Sequence, residues 1–114
     1  MIIGGTHTQF LAAALRGLDA QREAHEHNIA NVETPDFRAR DVAFEDSLRR
    51  AIASDDPTQS TITMSRSLAP TRPDGNNVRL DHELTALEGN ALNQRLMTEA
   101  VNDQFGRIRA ALGR

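Results

Sequence analysis

The fold is decided by residues 80–112, LDHELTALEGNALNQRLMTEAVNDQFGRIRAAL. Apolar side chains recur there in alternating steps of four and three, and eight of the ten positions in this series are apolar. A spacing of 3.5 residues held over this length predicts a helix that packs along a partner helix at a shallow angle. We therefore expect a long C-terminal helix over 80–112 with a narrow apolar seam.

The N-terminal third repeats the pattern over residues 6–33. Thr6 and Gln9 fit a capping box, which satisfies backbone N–H groups that the first helical turn leaves unpaired. Behind them a seam of seven positions follows the same steps of four and three, interrupted only by Arg22 and His25. Pro35 ends this helix because proline disfavours α conformation in the preceding residue.

The middle of the chain is weaker in pattern. Residues 34–53 predict a turn followed by a short helix from Asp41 to Ala53. Residues 54–79 hold three of the four prolines among clustered Ser, Thr, Asp and Asn, and only Thr61-Ile62-Thr63-Met64 alternates like a short strand. We expect this span to be a flexible surface excursion, mobile unless a partner orders it.

These elements predict one all-α unit over residues 1–114, with two long antiparallel terminal helices forming a coiled-coil-like pair. A short third helix and a loosely ordered central loop, with at most a short β segment, complete it. Two such helices bury less surface than a stable monomer of this size needs, so we expect the seam to support assembly. The expected assembly seam comprises Leu11, Leu15, Leu18, Ile29, Val32, Leu84, Leu87, Val101, Phe105, Ile108 and Leu112.

The antiparallel arrangement also predicts a register. It places Val32 near Leu84 and Leu11 near Phe105. The polar seam residues Arg22 and His25 then lie opposite residues 88–94, where polar side chains satisfy one another and fix the register.

Composition excludes several classes of protein. The 114 residues include 13 basic and 16 acidic ones, for a net charge of −3, which is unsuited to nucleic-acid binding. Cysteine is absent, so disulfides, thiolate nucleophiles and cysteine-based zinc sites are excluded. No 18-residue apolar run and no basic, then apolar N-terminal segment occur, so we expect neither membrane insertion nor a cleaved signal peptide.

Candidate sites are few. His25 and His27 diverge by about 200° around a helix, and no recognised zinc spacing surrounds them, so we expect no metal and no cofactor. Carboxylates lie on helix surfaces or in loops without a converging base or nucleophile, so no residue is expected to be catalytic and the chain is not an enzyme. Asn28 and Asn31 are one turn apart, and either cap the helix end or hydrogen-bond the backbone of a neighbouring subunit.

The run Asn28-Ile29-Ala30-Asn31-Val32-Glu33-Thr34-Pro35-Asp36-Phe37 resembles the signature of bacterial flagellar rod and hook proteins, N-I-A-N-x-x-T-P-G-[YF]. The residues that carry the motif are Asn28, Ile29, Ala30, Asn31, Thr34, Pro35 and Phe37. Asp36 replaces the usual glycine, at a position where left-handed backbone is expected. Residues 80–84, LDHEL, are similar to the proximal rod proteins of the same family.

The resemblance implies a structural subunit of the flagellar basal body. Such proteins leave the cell through the flagellar type III export apparatus without a cleaved signal. They polymerise with copies of themselves and with other rod proteins into the periplasmic drive shaft required for motility. The alternative that the residues leave open is a soluble coiled-coil adaptor or chaperone-like binding module that does not polymerise.

Overall fold

The computed structural model describes residues 5–113; the ends of the predicted 1–114 unit lie outside the described residues. The chain forms an elongated body of 63 × 27 × 14 Å. Its elements, in order, are α1 (Thr6–Ala30), β1 (Arg40–Ala43), α2 (Glu45–Ala53), a 3₁₀ turn (Pro57–Gln59), β2 (Thr63–Arg66) and α3 (Leu80–Ala111).

The two long helices, α1 and α3, pack side by side and run antiparallel. His25 of α1 contacts Glu83 of α3, and Asn90 of α3 donates a hydrogen bond to the backbone oxygen of Leu18, seven residues earlier on α1. The predicted antiparallel order of the terminal helices is therefore correct, while their coiled-coil pairing stays a prediction.

The predicted register is wrong by about two helical turns. Leu11 shares a groove with Met97, eight residues before the expected Phe105. Arg22 does not face α3: it hydrogen-bonds Asp19 and Glu26 on its own helix, and the bond to Asp19 raises its pKa. Buried polar groups on α3 set the true register, because each must meet a partner on α1.

The face that α3 turns toward α1 is also offset from the predicted seam. Leu87 and Val101 are half-buried and Ile108 is buried, as expected, but Leu84, Phe105 and Leu112 are exposed. The buried residues of this face include Glu83 and Asn90. Each lies one position earlier in the sequence than a position of the expected apolar series, Leu84 and Ala91 respectively. On α1, Leu18 is buried and Leu11, Leu15 and Ile29 are half-buried; Val32, which the structure places in the turn after α1, is half-buried as well.

The predicted helix from Asp41 instead begins at Glu45, because residues 40–43 form a strand. β1 pairs antiparallel with β2, Arg40 opposite Arg66 and Ala43 opposite Thr63. Side chains of α1 hold β1 extended: Asn28 hydrogen-bonds the backbone of Arg40, and Gln21 donates to the backbone oxygen of Val42. The short predicted strand near residues 61–64 is present two residues later.

Phe44 connects β1 to α2 and is buried against α1. A Cβ atom added at Gly17 would collide with the Phe44 ring, so this glycine admits the aromatic side chain. Nothing lies within 4 Å of an equivalent atom at Gly89 or Gly106. Of the glycines inside the long helices, Gly17 is therefore required by packing.

The span 54–79 differs between its two ends. Residues 61–66 are exposed, whereas Asn76, Asn77 and Val78 are buried. The last part of the predicted excursion is thus packed against the rest of the chain by the hydrogen bonds described next.

Candidate functional site: an asparagine junction

The sequence motif folds into a network of buried amides that we call the asparagine junction, formed by Asn28, Asn31, Asn76, Asn77 and Glu83. It ties the C-terminal end of α1 to the N-terminal end of α3 and to the loop between them. Asn28, Asn76, Asn77 and Glu83 are buried. Buried amides stabilise a fold only when their hydrogen bonds are satisfied, which makes the partners decisive.

Asn28 is completely buried and uses its whole amide within the chain. Its Nδ2 donates to the backbone oxygen of Arg40 at 3.0 Å, and its Oδ1 accepts from the backbone N–H of Arg40 at 2.8 Å. The second amide hydrogen reaches Oε1 of Glu83 at 3.1 Å. Asn28 therefore acts as the hydrogen-bonding partner of a strand residue, and no donor remains for a neighbouring subunit.

Glu83 is a carboxylate with only 3% of its surface exposed. Its Oε1 lies 2.7 Å from Nδ1 of His25 and accepts from Asn28. Burying a carboxylate without such partners would cost several kcal/mol. His25, a polar position in the predicted seam, therefore provides the contact that allows Glu83 to lie between the helices.

Asn31 ends α1. Its Nδ2 donates to the backbone oxygen of His27 at 2.9 Å, and its Oδ1 accepts from the Thr34 hydroxyl at 3.0 Å. α1 accordingly stops at Ala30, three residues before the predicted end, because the following turn satisfies its last carbonyl groups. For Asn31, the capping alternative is the one that the geometry supports.

Asn76, in the loop before α3, contacts the same turn after α1. Its Nδ2 donates to the backbone oxygens of Asn31 and Thr34 at 2.9 and 2.8 Å, and its Oδ1 accepts from the N–H of Val78 at 2.7 Å. Arg72 adds a second connection, since its guanidinium donates to the backbone oxygens of Val32 and Val78. The turn after α1 is thus held by side chains some forty residues away.

Asn77 fastens the segment between the motif and β1. Its Oδ1 accepts from the N–H of Ala39 at 2.7 Å, and its backbone N–H donates to the oxygen of Phe37 at 3.2 Å. Its Nδ2 donates to the backbone oxygens of Ser67 and Ala69, both at 3.1 Å. One side chain therefore joins the segment before β1 to the segment after β2.

Asp36 has the left-handed backbone that the motif's usual glycine would adopt, with φ of 62°. Its N–H donates to the oxygen of Asp74, and its side chain lies where a Cβ on Gly75 would have to fit. Gly75 itself has φ of 84°. Two left-handed residues therefore meet at this turn, and the shape of the motif is kept although its glycine is replaced.

Phe37 and Pro35 lie at the outside of the turn. The Phe37 ring is half-buried, with its centroid 5.8 Å from that of His27 and 5.4 Å from the guanidinium carbon of Arg66. His27 thus faces an aromatic ring while His25 faces a carboxylate. Across residues 5–113, no group of three His, Asp or Glu side chains is arranged to hold a metal ion.

Sequence reasoning missed Asn76, Asn77, Arg72 and Glu83 as parts of this site. The pair Asn76-Asn77 follows Asp74-Gly75 in the stretch of clustered Ser, Thr, Asp and Asn that predicts a surface excursion, which assigns neither amide a role. Its local signal is the placement of two amides directly before the helix start at Leu80, where both side chains are available to distant backbone groups. Glu83 lay within the LDHEL resemblance but carried no predicted role.

Away from the junction, an apolar groove of about 450 Å³ lies where α1, α2 and α3 meet. Phe10, Leu11 and Leu18 of α1, Leu48 and Ile52 of α2, and Met97 of α3 line it. Glu45 and His7 are its titratable residues. In residues 5–113 no helix combines the length and the apolar character that crossing a membrane requires.

Two antiparallel helices, tied at one end by buried amides, define an elongated, mostly helical protein. No family model matches the chain. The chain is similar to the flagellar basal body rod protein FlgB of Bacillus subtilis (strain 168), with 29% identity over 118 aligned positions that cover 91% of each protein. The chain is therefore FlgB-like, in agreement with the resemblance of its motif to the flagellar rod proteins.

Proposed function

We propose that this chain is a structural subunit of the flagellar basal-body rod. The similarity to FlgB of Bacillus subtilis over nearly the whole of both proteins is the observation that carries the proposal. It also favours a rod subunit over the soluble adaptor. The relative is named as a rod protein of the flagellar basal body, which is in keeping with the expectation that the chain is not an enzyme.

The subunit polymerises through its terminal helices, together with copies of itself and other rod proteins, into the periplasmic drive shaft. The exposed apolar residues of α3 support this part of the proposal, because Leu84, Leu92, Leu96 and Leu112 are 48% to 77% exposed. Exposed leucines along one helix offer apolar surface that a partner can cover. The junction orients the helices, and their outer faces form the contacts.

Deletion of the gene tests the proposal. The mutant is expected to be non-motile on soft agar, and electron microscopy of its basal bodies should show no rod beyond the membrane ring. Expression of the intact chain in the mutant should restore both. A motile deletion mutant with normal rods would overturn the proposal.

Export through the flagellar type III apparatus without cleavage is a separate part of the proposed function and has its own test. Mass spectrometry of the protein recovered from purified basal bodies should find the N-terminal peptide of the printed sequence. Recovery of a shortened N-terminus would contradict uncleaved export while leaving the structural role in place.

A further inference from the structure

We propose that the apolar groove between α1, α2 and α3 receives the C-terminal end of α3 from a second copy of this chain. The inference rests on the proposed function, because it specifies how one subunit contacts the next. Its subject is the groove lined by Leu11, Leu48, Ile52 and Met97.

The C-terminal end of α3 has the matching surface. Phe105, Arg109 and Leu112 are spaced i, i+4 and i+7, so they form one stripe along the helix. Phe105 is 36% exposed and Leu112 is 77% exposed. Apolar anchors at this spacing are how an amphipathic helix binds in a hydrophobic groove.

Charge at the centre of the stripe complements charge at the groove. Arg109 lies between the two apolar anchors and forms no ion pair within residues 5–113. Glu45, at the first turn of α2, is the acidic residue lining the groove. A helix end seated with Phe105 and Leu112 in the groove brings Arg109 to Glu45, and opposite charges of this kind select the partner and the register.

A second copy is required because the chain cannot fill its own groove. α3 is continuous from Leu80 to Ala111 and already lines the groove at Met97. Residues 105–112 therefore continue along the helix axis, away from that groove. Each copy then offers one groove and one helix end, and a contact between different surfaces repeats without closing, as in a filament.

Cysteine crosslinking tests the contact, since the chain contains no cysteine. One copy carries Ile52→Cys, at the groove, and a second copy, distinguished by a tag, carries Leu112→Cys. After mild oxidation of the mixture, we expect the crosslink between the two different copies to exceed statistical pairing. Dominance of 52–52 or 112–112 products would overturn the proposal, because it would indicate a symmetric contact or another occupant.

Charge reversal makes the test specific. Arg109→Glu in the Leu112→Cys copy should lower the initial crosslinking rate about tenfold, and adding Glu45→Arg to the other copy should restore it to within about twofold. Arg107→Glu is the matched control, since Arg107 is an exposed arginine of the same helix end outside the stripe. An equal effect of both reversals, or no rescue, would overturn the proposal.

Two controls separate the possible failures. Circular dichroism of each variant should match that of the unmodified chain, and the rescue by two reversals cannot come from misfolding. A non-motile deletion mutant whose protein shows no 52–112 crosslink would contradict this contact alone. A motile deletion mutant would contradict the rod function whatever the crosslinks.

Discussion

The two ends of the α1–α3 pair are built in opposite ways. At the junction end, Asn28, Asn76 and Glu83 are buried and their polar groups are satisfied within the chain. At the other end, residues 102–112 of α3, which we call the free end, bury Ile108 but expose Phe105 and Leu112. The difference teaches that buried polar contacts fix the geometry of one subunit at the junction, whereas the free end carries exposed apolar side chains, the surface that we propose for contacts between subunits.

The largest effect should come from Asn28→Asp, which keeps the shape of the side chain but replaces its donor with a carboxylate. That carboxylate would face Glu83 and the backbone oxygen of Arg40, both of which now accept hydrogen bonds from Asn28. We expect a loss of about 3 kcal/mol or more in the free energy of unfolding. Urea denaturation followed by circular dichroism measures it.

Asn102→Asp is the matched control, because Asn102 is exposed on α3 near the free end. Its free energy of unfolding should change by less than about 0.5 kcal/mol. Equal effects at positions 28 and 102 would remove the distinction between the two ends.

The next effect concerns the glycines. Gly17→Ala would force the Phe44 ring to move, and the cost of overpacking, about 1–3 kcal/mol, exceeds the gain of about 1 kcal/mol in helix propensity. Gly106→Ala at the free end meets no atom within 4 Å and should be stabilising by up to about 1 kcal/mol. Thermal unfolding of both variants should show shifts of opposite sign; shifts of the same sign would mean that Phe44 is not packed on Gly17.

Phe105→Asp should have a smaller effect on the folded subunit than on assembly. Because Phe105 is already 36% exposed, we expect a loss of about 1 kcal/mol or less in the free energy of unfolding. The variant should nevertheless be made and exported without building a rod, so cells remain non-motile. Normal motility would indicate that the free end is solvated in the assembled state.

Asp36→Gly should be mildly stabilising at the junction end. Glycine adopts the left-handed backbone at φ of 62° without the Cβ clash that Asp tolerates, a gain offset by greater freedom in the unfolded chain. We expect a gain of about 0.5 kcal/mol in the free energy of unfolding. Asp41→Gly, in strand β1, provides the control and should be destabilising.

The smallest expected effect is a pH dependence of stability at Asp56, a residue that lies outside both ends of the helix pair. Hydrogen bonds from the Thr58 hydroxyl, then from the Thr58 N–H and Gln59, lower the pKa of Asp56 below its usual 3.8. Its contribution to stability is therefore present above pH 3.8 and is lost as the pH falls through the lower folded value. Asp56→Asn should flatten the dependence of stability on pH below that pH, and at neutral pH it should lower stability slightly, by an amount that does not vary with pH; urea denaturation at a series of pH values measures both.

The two long helices were predictable because their apolar spacing is sustained over many turns, and the antiparallel order followed from a middle segment that returns the chain. The register was not, because a heptad pattern slid by about two turns again places apolar residues opposite apolar residues. The contacts of Glu83 with His25 and of Asn90 with Leu18 break this degeneracy. Polar partners across two helices leave no periodic signal in either one.

The candidate site was predictable only in its first half. Asn28 and Asn31 were recognised from the motif, and the left-handed backbone at Asp36 was expected there. Asn76 and Arg72, which bond the backbone of the turn after α1, lie in a segment rich in turn residues, where hydrogen bonds to backbone groups forty residues away have no local pattern. The start of the short helix was predicted at Asp41 instead of Glu45, because a short run such as residues 41–43 suits a strand or a helix equally well.

The junction also dictates when the subunit can take its shape. Asn28 and the turn after α1 find their partners at residues 76–83, so the first third of the chain has no complete set of hydrogen bonds until those residues are present. When the chain is released with its N-terminus first, from a ribosome or through a narrow channel, about the first eighty residues therefore emerge before the hydrogen bonds of the junction can be completed. The junction forms once residues 76–83 are present, and the exposed helix end with Phe105 and Leu112 emerges after them.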